Sequence, residues 1–284
     1  MKHPIGQTAR ECVNRLNKKF EPAESHFMVR VLMEDLFGID RVKIVLEPDL
    51  CIDDEQRAHL DKCINLLLQG HPLQYVVGEM EFFGLRLKVT PDVLIPRPET
   101  EEMVGLICRS YSRDSELDIL DIGTGSGCIA ISLASFFANS HVTATDISGK
   151  ALKIAKQNAT LNNVELNLVE HDILTTSFPE SRFDLIVSNP PYVCESEKGL
   201  MLPNVLEHEP HSALFVPDDD PLLFYRQIAT TAYRSLKKDG VLWFEINERF
   251  GDEVRLCCLE CGFGQAEVIK DYKGKNRFCK ATRI

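Results

Sequence analysis

Leu120-Asp121-Ile122-Gly123-Thr124-Gly125-Ser126-Gly127 joins an apolar run of β type to a helical stretch through three glycines in five residues. Glycine lets the backbone turn tightly and lets a ligand reach it without a Cβ in the way. A loop between the C-terminal end of a strand and the N-terminus of a helix is where open α/β sheets bind nucleotides. The pattern around this loop continues in both directions. Apolar β-type runs occur at 117–122, 141–145, 165–169, 183–187, 241–246, 267–269 and 278–282. Helical stretches at 127–137, 148–162, 221–236 and 252–261 fall between most of them. This alternation predicts an α/β domain with a seven-stranded, mostly parallel sheet covered on both faces. Only Lys273-Gly274-Lys275-Asn276 separates the last two runs, which predicts an antiparallel hairpin at one edge.

The five loop residues Gly123, Thr124, Gly125, Ser126 and Gly127 are the candidate cofactor cradle. The second strand ends in Thr145-Asp146, and a carboxylate there can accept two hydrogen bonds from ribose hydroxyls. Gly125-x-Gly127-x-x-Ala130 fits the loose dinucleotide fingerprint, so NAD is weighed against S-adenosylmethionine. Asp121, two residues before Gly123, favours the second, because it can orient the amino-acid end of that cofactor through the loop or water. After the third strand comes His171-Asp172-Ile173. Asp172 can accept from an adenine amino group while Ile173 packs on the ring, although an Asp in such a loop also serves as a helix cap or a solvated residue.

A second loop follows the fourth strand: Asn189-Pro190-Pro191-Tyr192. The residue before a proline is pushed into an extended conformation, and each proline fixes φ near −65° and lacks an N–H. The loop is therefore stiff, with the Pro190 carbonyl left free to accept. The Asn189 side-chain oxygen and the Pro190 carbonyl can take the two hydrogens of a planar NH2 group, and Tyr192 can stack on it. A carboxamide nitrogen is a poor nucleophile, so orienting it and stabilising the positive charge it gains are what transfer to it requires.

The 284 residues are 44% hydrophobic, enough for a sizeable core. No run of eighteen apolar residues predicts a membrane span, and the N-terminal stretch from Met1 lacks the apolar core of a signal peptide. A cytoplasmic protein is expected. Ten scattered cysteines, with one C-x-x-C at Cys258 and Cys261 and no completing pair, read as free thiols, and no metal site is expected. The net charge of −11 lacks the basic stripe of a chain that binds nucleic acid, so no direct nucleic-acid binding is expected. Residues 1–72 read as a small helical domain. Helices run through Phe27, Val31, Leu32 and Leu36 to a stop at Gly38, and from Asp53 or Asp54 to Gly70, with Ala58, Ile64, Leu67 and Leu68 on one face. Residues 73–95 read as a β-hairpin linker, with short strands at Tyr75-Val76-Val77, Glu81-Phe82-Phe83 and Leu85–Val89. A helix then starts at the acidic turn of Arg97-Pro98-Glu99-Thr100-Glu101, within the remaining domain, 96–284.

Gly123–Gly127, Asp146 and Asn189–Tyr192 together resemble the class I S-adenosylmethionine-dependent methyltransferases of the N-P-P-Y type. The fuller resemblance is to the HemK/PrmC family of release factor glutamine methyltransferases. It covers nearly the whole chain: Gln74-Tyr75, Phe82-Phe83-Gly84, Leu94–Glu101, both loops, Glu209-Pro210 and Ala213-Leu214. The resemblance implies methyl transfer to N5 of the glutamine in the Gly-Gly-Gln motif of bacterial class I peptide chain release factors. It implies S-adenosylmethionine as cofactor, with S-adenosylhomocysteine as product. Asn189 and Pro190 would be catalytic, and Asn189 would also border the cofactor. Arg97, Thr100 and Glu101 would line the mouth of the site, and residues 1–72 would help hold the release factor. Two departures stand out: Ile173 replaces the family's aromatic, and Glu245-Ile246-Asn247-Glu248-Arg249-Phe250 differs from the usual E-I-G-x-x-Q. The competing reading is an N-P-P-Y methyltransferase acting on an exocyclic amine of a DNA or RNA base.

Overall fold

A computed structural model describes residues 2–47, 49–176 and 178–284. Met1, which heads the stretch read above for a signal peptide, lies outside them. The chain divides into two compact units. One runs through Glu79 and takes in Leu202–His208; the other comprises Met80–Met201 and Glu209–Ile284.

The second unit holds the seven-stranded sheet: β1 (Asp118–Ile122), β2 (His141–Asp146), β3 (Asn167–Glu170), β4 (Phe183–Ser188), β5 (Leu236–Glu245), β6 (Gln265–Lys270) and β7 (Asn276–Thr282). Their order across the sheet is β6-β7-β5-β4-β1-β2-β3. Strands β3, β2, β1, β4 and β5 run parallel, while β7 is antiparallel to both β5 and β6. Strand β1 thus has β2 on one side and β4 on the other, and the chain order reverses direction between β1 and β4. That reversal opens a crevice at the carboxyl ends of the two strands.

Alternation along the strands sends neighbours to opposite faces. Ile119, Leu185, Val187 and Trp243 pack with helices α1 (Pro98–Ser110) and α2 (Cys128–Phe136), through Val104, Ile107, Ile129 and Leu133 among others. Leu120, Ile186, Leu242 and Phe244 face the other way, against α4 (Leu223–Ser235) and α5 (Gly251–Glu260), through Tyr225, Ile228, Ala232, Val254 and Cys258. Helix α3 (Gly149–Leu161) follows β2, and Ser148 caps it by accepting from Ala151 N at 3.2 Å. Its Asn158 is fully buried: Lys88 N donates to its Oδ1, and its Nδ2 donates to the carbonyls of Lys88 and Ser126.

The first unit is built on helices Ile5–Leu16, Pro22–Phe37, Arg41–Leu46 and Asp54–Leu68. Gly38 ends the second in the left-handed conformation, and an Asp53–Gln56 capping box starts the fourth. The apolar stripes differ in detail from expectation. Met28, Val29, Leu32 and Met33 face the core of this unit, while Phe27 is 49% exposed. Leu60, Cys63, Ile64 and Leu67 do the same on the fourth helix, and Ala58 is exposed. Tyr75–Val77 is not a strand. It lies in the short helix Leu73–Val77, where Tyr75 N and Val76 N both donate to Pro72 O and Gly78 closes the turn. Pro72 fixes the entry to that turn, which outweighs the β preference of Val76 and Val77. The short ladder between His3–Pro4 and Cys51–Ile52 has no sequence signal of its own.

Among the described residues, no helix is long and apolar enough to cross a membrane.

Candidate active site

The glycine loop leaves β1 and is tied at once to β2, since Gly123 N and Thr124 N both donate to Thr145 O, at 2.9 and 2.8 Å. Gly123 and Gly125 have φ of 75° and 55°, and no atom lies within 4 Å of where a Cβ would stand on either. The backbone here is therefore bare and faces open space. Gly127 differs: a Cβ would come within 2.9 Å of Ile131 Cδ1 and 3.2 Å of Ala155 Cβ, so this glycine lets the start of α2 pack on α3. The buried Asn158 holds the loop from behind through its bond to Ser126 O.

Asp146 ends β2 beside the loop. Its Oδ2 accepts from Gly125 N at 2.8 Å and its Oδ1 from Ser148 N at 2.9 Å. Burial raises its pKa, and these backbone N–H groups oppose the rise. A carboxylate oxygen has two lone pairs, so each oxygen retains capacity for a ligand hydroxyl. Asp121 is fully buried, and the Thr124 hydroxyl donates to its Oδ2 at 2.6 Å. Burial pushes the Asp121 carboxyl up to about 7 despite that bond. Asp172 spends one oxygen locally: Oδ1 accepts from Leu174 N at 2.9 Å. Its carbonyl accepts from Thr175 N and Thr176 N. Ile173 is 9% exposed and belongs to the core cluster with Leu120, Ile122 and Phe183.

The bare glycine backbone, with a fixed carboxylate at its side, fits the adenosine and amino-acid ends of S-adenosylmethionine.

The second loop leaves the sheet at the same level. Ile122 and Ser188 are paired in the β1–β4 ladder, and Ser188 Oγ donates to Ile122 O at 2.7 Å. Gly123 and Asn189 are consequently the first residues beyond one shared rung. Asn189 Nδ2 donates to Thr100 Oγ1 at 3.2 Å, and Thr100 Oγ1 donates to Glu245 Oε2 at 2.6 Å. The Tyr192 hydroxyl donates to the other oxygen, Glu245 Oε1, at 3.1 Å. Glu245 ends β5 and is 1% exposed. Burial raises its pKa, while the bonds from Thr100 and Tyr192 and the charge of Arg277 lower it. Burial likewise pushes the Tyr192 phenol well up, with the Glu245 charge adding to it.

The backbone of the loop is anchored too. Tyr192 N and Val193 N donate to Leu214 O, and Asn247 Nδ2 donates to Tyr192 O at 3.1 Å. Pro190 is buried, and Asn189, Pro191 and Tyr192 are half-buried. The side chain of Glu209 is 1% exposed; it accepts from Ile95 N at 3.1 Å and pairs with Arg97 at 2.6 Å, both in the segment leading into α1. Thr100 is buried and Glu101 half-buried in the first turn of α1.

Sequence reading placed both loops but missed Glu245, Asn158 and the structural role of Glu209. The signal for Glu245 was present: an acidic residue inside the apolar run Val241–Ile246 is carried into the core with its strand, and a buried carboxyl needs partners.

Comparison with known proteins adds the family. A profile of the PrmC N-terminal domain matches residues 7–78, and one of the methyltransferase small domain matches residues 106–213. The release factor glutamine methyltransferase of Flavobacterium psychrophilum is 44% identical over 273 residues, covering 95% of this chain and 96% of the relative. This chain belongs to the release factor glutamine methyltransferases. The family member from Bacteroides thetaiotaomicron is 40% identical over 265 residues, covering 93% and 95% of the two chains. That from Streptococcus pneumoniae is 39% identical over 266 residues, covering 92% of each. Among solved structures, a methyltransferase from Pyrococcus furiosus superposes with a TM-score of 0.53 at 19% identity, covering 81% of this chain and 99% of the other. The Thermus thermophilus 16S rRNA N2 G1207 methyltransferase, solved with AdoMet and guanosine, gives the same TM-score of 0.53 at 16% identity, covering 72% and 50%. These two share the fold with the release factor glutamine methyltransferases.

Proposed function

We propose that this enzyme transfers a methyl group from S-adenosylmethionine to N5 of the glutamine in the Gly-Gly-Gln motif of bacterial class I release factors, in the cytoplasm, leaving S-adenosylhomocysteine. The observation that carries the reading is the shared rung between β1 and β4. It sets an open glycine loop beside a stiff Asn-Pro-Pro-Tyr loop, in a chain similar along its length to release factor glutamine methyltransferases. Gly123, Thr124, Gly125, Ser126, Gly127 and Asp146 hold the cofactor. Asp172 and Ile173 border its adenine, and Asn189 borders its reactive end. When bound, that cofactor supplies an electrophilic sulfonium methyl.

The chain's own residues prepare the acceptor. Asn189 Oδ1 and the Pro190 carbonyl each accept one hydrogen of the glutamine NH2, and Tyr192 and Pro191 flank the planar amide. The grip turns the nitrogen toward the donor and strengthens as positive charge grows on it, because a bond to a charged group contributes about 1.5–3 kcal/mol against about 1 for a neutral one. No strong base is needed, since the nitrogen becomes acidic only once it carries the methyl, and water can take the proton. Residues 1–72 help hold the release factor, the linker 73–95 carries the short helix Leu73–Val77 and the strands Glu79–Phe82 and Leu85–Lys88, and 96–284 carry the chemistry.

The test is mass spectrometry after incubation with release factor and S-adenosylmethionine. One added methyl on the Gly-Gly-Gln glutamine is expected; unmodified release factor beside methylated rRNA would sink the proposal. Hydrogen exchange within residues 1–72 should slow on mixing with release factor, and unchanged exchange there would remove that domain from recognition.

A further inference from the structure

The protons around Glu245 can be counted. A carboxylate only accepts hydrogen bonds, and a threonine hydroxyl has a single proton. The 2.6 Å bond to Glu245 Oε2 uses that proton, so Thr100 Oγ1 has only lone pairs left to offer Asn189. The Asn189 atom 3.2 Å away must then be Nδ2, which turns Oδ1 in the opposite direction. Without such a network, the two ends of a carboxamide are interchangeable in shape. The same carboxylate holds Tyr192 through its other oxygen at 3.1 Å, so one side chain grips both ends of the Asn-Pro-Pro-Tyr loop.

We infer that Glu245 is a positioning residue: acting through Thr100, it fixes which way the Asn189 carboxamide faces. The inference rests on the glutamine reading above, in which Asn189 Oδ1 must meet the incoming NH2. A proton on Glu245 reverses the chain of donors. The acid then donates to Thr100, Thr100 donates to Asn189, and Oδ1 is drawn toward Thr100 while Nδ2 confronts the substrate amide with a second donor. The charged and titratable groups facing Glu245 are Glu99 from α1, Cys128 from α2, Tyr192 from the loop, Tyr225 from α4 and Arg277 from β7. Arg277 favours the charged carboxylate, and Glu99 opposes it.

Glu245→Gln and Thr100→Val test this in the full chain with release factor as substrate. We expect kcat to fall at least about tenfold in both, the loss of one charged or buried hydrogen bond. The KM for release factor and the calorimetric affinity for S-adenosylmethionine should stay within about threefold. Thr100→Ser, which keeps the hydroxyl, should recover kcat to within about threefold of wild type. Wild-type kcat should fall on the acid side, and Glu245→Gln should lose that limb. A second readout needs no substrate: in protein labelled with 15N-asparagine, the Asn189 side-chain NH2 resonances should move with pH in wild type and stand still in Glu245→Gln. Wild-type kcat in Thr100→Val, a loss of kcat matched by lost cofactor affinity, or static Asn189 resonances in wild type would each overturn the inference. Absence of methyl transfer by the wild type would instead defeat the glutamine reading, and the resonances would still decide the role of Glu245.

Discussion

Replacing Asn189 by alanine removes one carboxamide and leaves the stiff backbone of Pro190 and Pro191 in place. Two interactions are lost. The bond from Nδ2 to Thr100 is neutral and 3.2 Å long, so its loss costs about 0.5–1.5 kcal/mol of stability and shifts the melting temperature by only a few degrees. The acceptor Oδ1 matters more, because in the proposed reaction it faces a nitrogen that becomes cationic. A hydrogen bond to a charged group contributes about 1.5–3 kcal/mol, and 1.36 kcal/mol corresponds to a factor of ten in rate. The expected fall in kcat is therefore about 10- to 150-fold, with the Pro190 carbonyl left as the only acceptor. The affinity for S-adenosylmethionine should change by less than about threefold, since the glycine loop and Asp146 are held by bonds that do not involve Asn189. Single-turnover transfer to release factor, followed by mass spectrometry, measures the first number, and calorimetry measures the second. Turnover within twofold of wild type would refute the acceptor grip. So would a rate loss fully explained by weaker cofactor binding.

Asp146→Ala should act in the opposite sense, weakening S-adenosylmethionine binding at least about tenfold while kcat at saturating cofactor stays within a few-fold; calorimetry with steady-state rates separates the two. Gly127→Ala places a Cβ 2.9 Å from Ile131 Cδ1 and 3.3 Å from the Ala155 backbone, at a φ of 84°. Strain and overpacking together should cost about 2–4 kcal/mol in urea unfolding, and an unchanged midpoint would contradict the packing described. Asp121 gives a pH signature. Its folded pKa, about 7, lies above the ordinary aspartate value of 3.8, so the folded state binds the proton more tightly. That contribution is fully present below pH 4 and is lost as pH rises toward 7. Between pH 5 and pH 7 the wild type should lose about 2 kcal/mol more stability than Asp121→Asn, and parallel pH curves for the two would show that burial does not hold this proton.

The sheet was legible because its central strands β1, β2 and β4 are buried on both faces and read as apolar runs, while glycines and prolines punctuate the loops. Asn189 announces itself because its neighbours are prolines and its strand is apolar. Glu245 does not, since its partners Thr100 and Tyr192 lie far away in sequence and only the strand order brings them together. Tyr75–Val77 misled for a local reason: three residues of strand-favouring type sit inside one turn set by Pro72. Phe27 misled because Pro22–Phe37 has several apolar residues off its buried face, so the sequence period alone leaves the orientation of the helix open.

The Ile122–Ser188 rung also acts as a ruler. Neighbouring strands in a sheet stand about 4.8 Å apart, and that spacing is enforced by backbone hydrogen bonds rather than by any side chain. On the proposed reading, donor and acceptor loops inherit their separation from this lattice constant of the protein. Neither loop must swing to bring the reacting atoms together. The chemistry can then be retargeted to other flat amines by recarving the walls contributed by α1 and the Glu209 segment, with the gauge of the reaction left untouched.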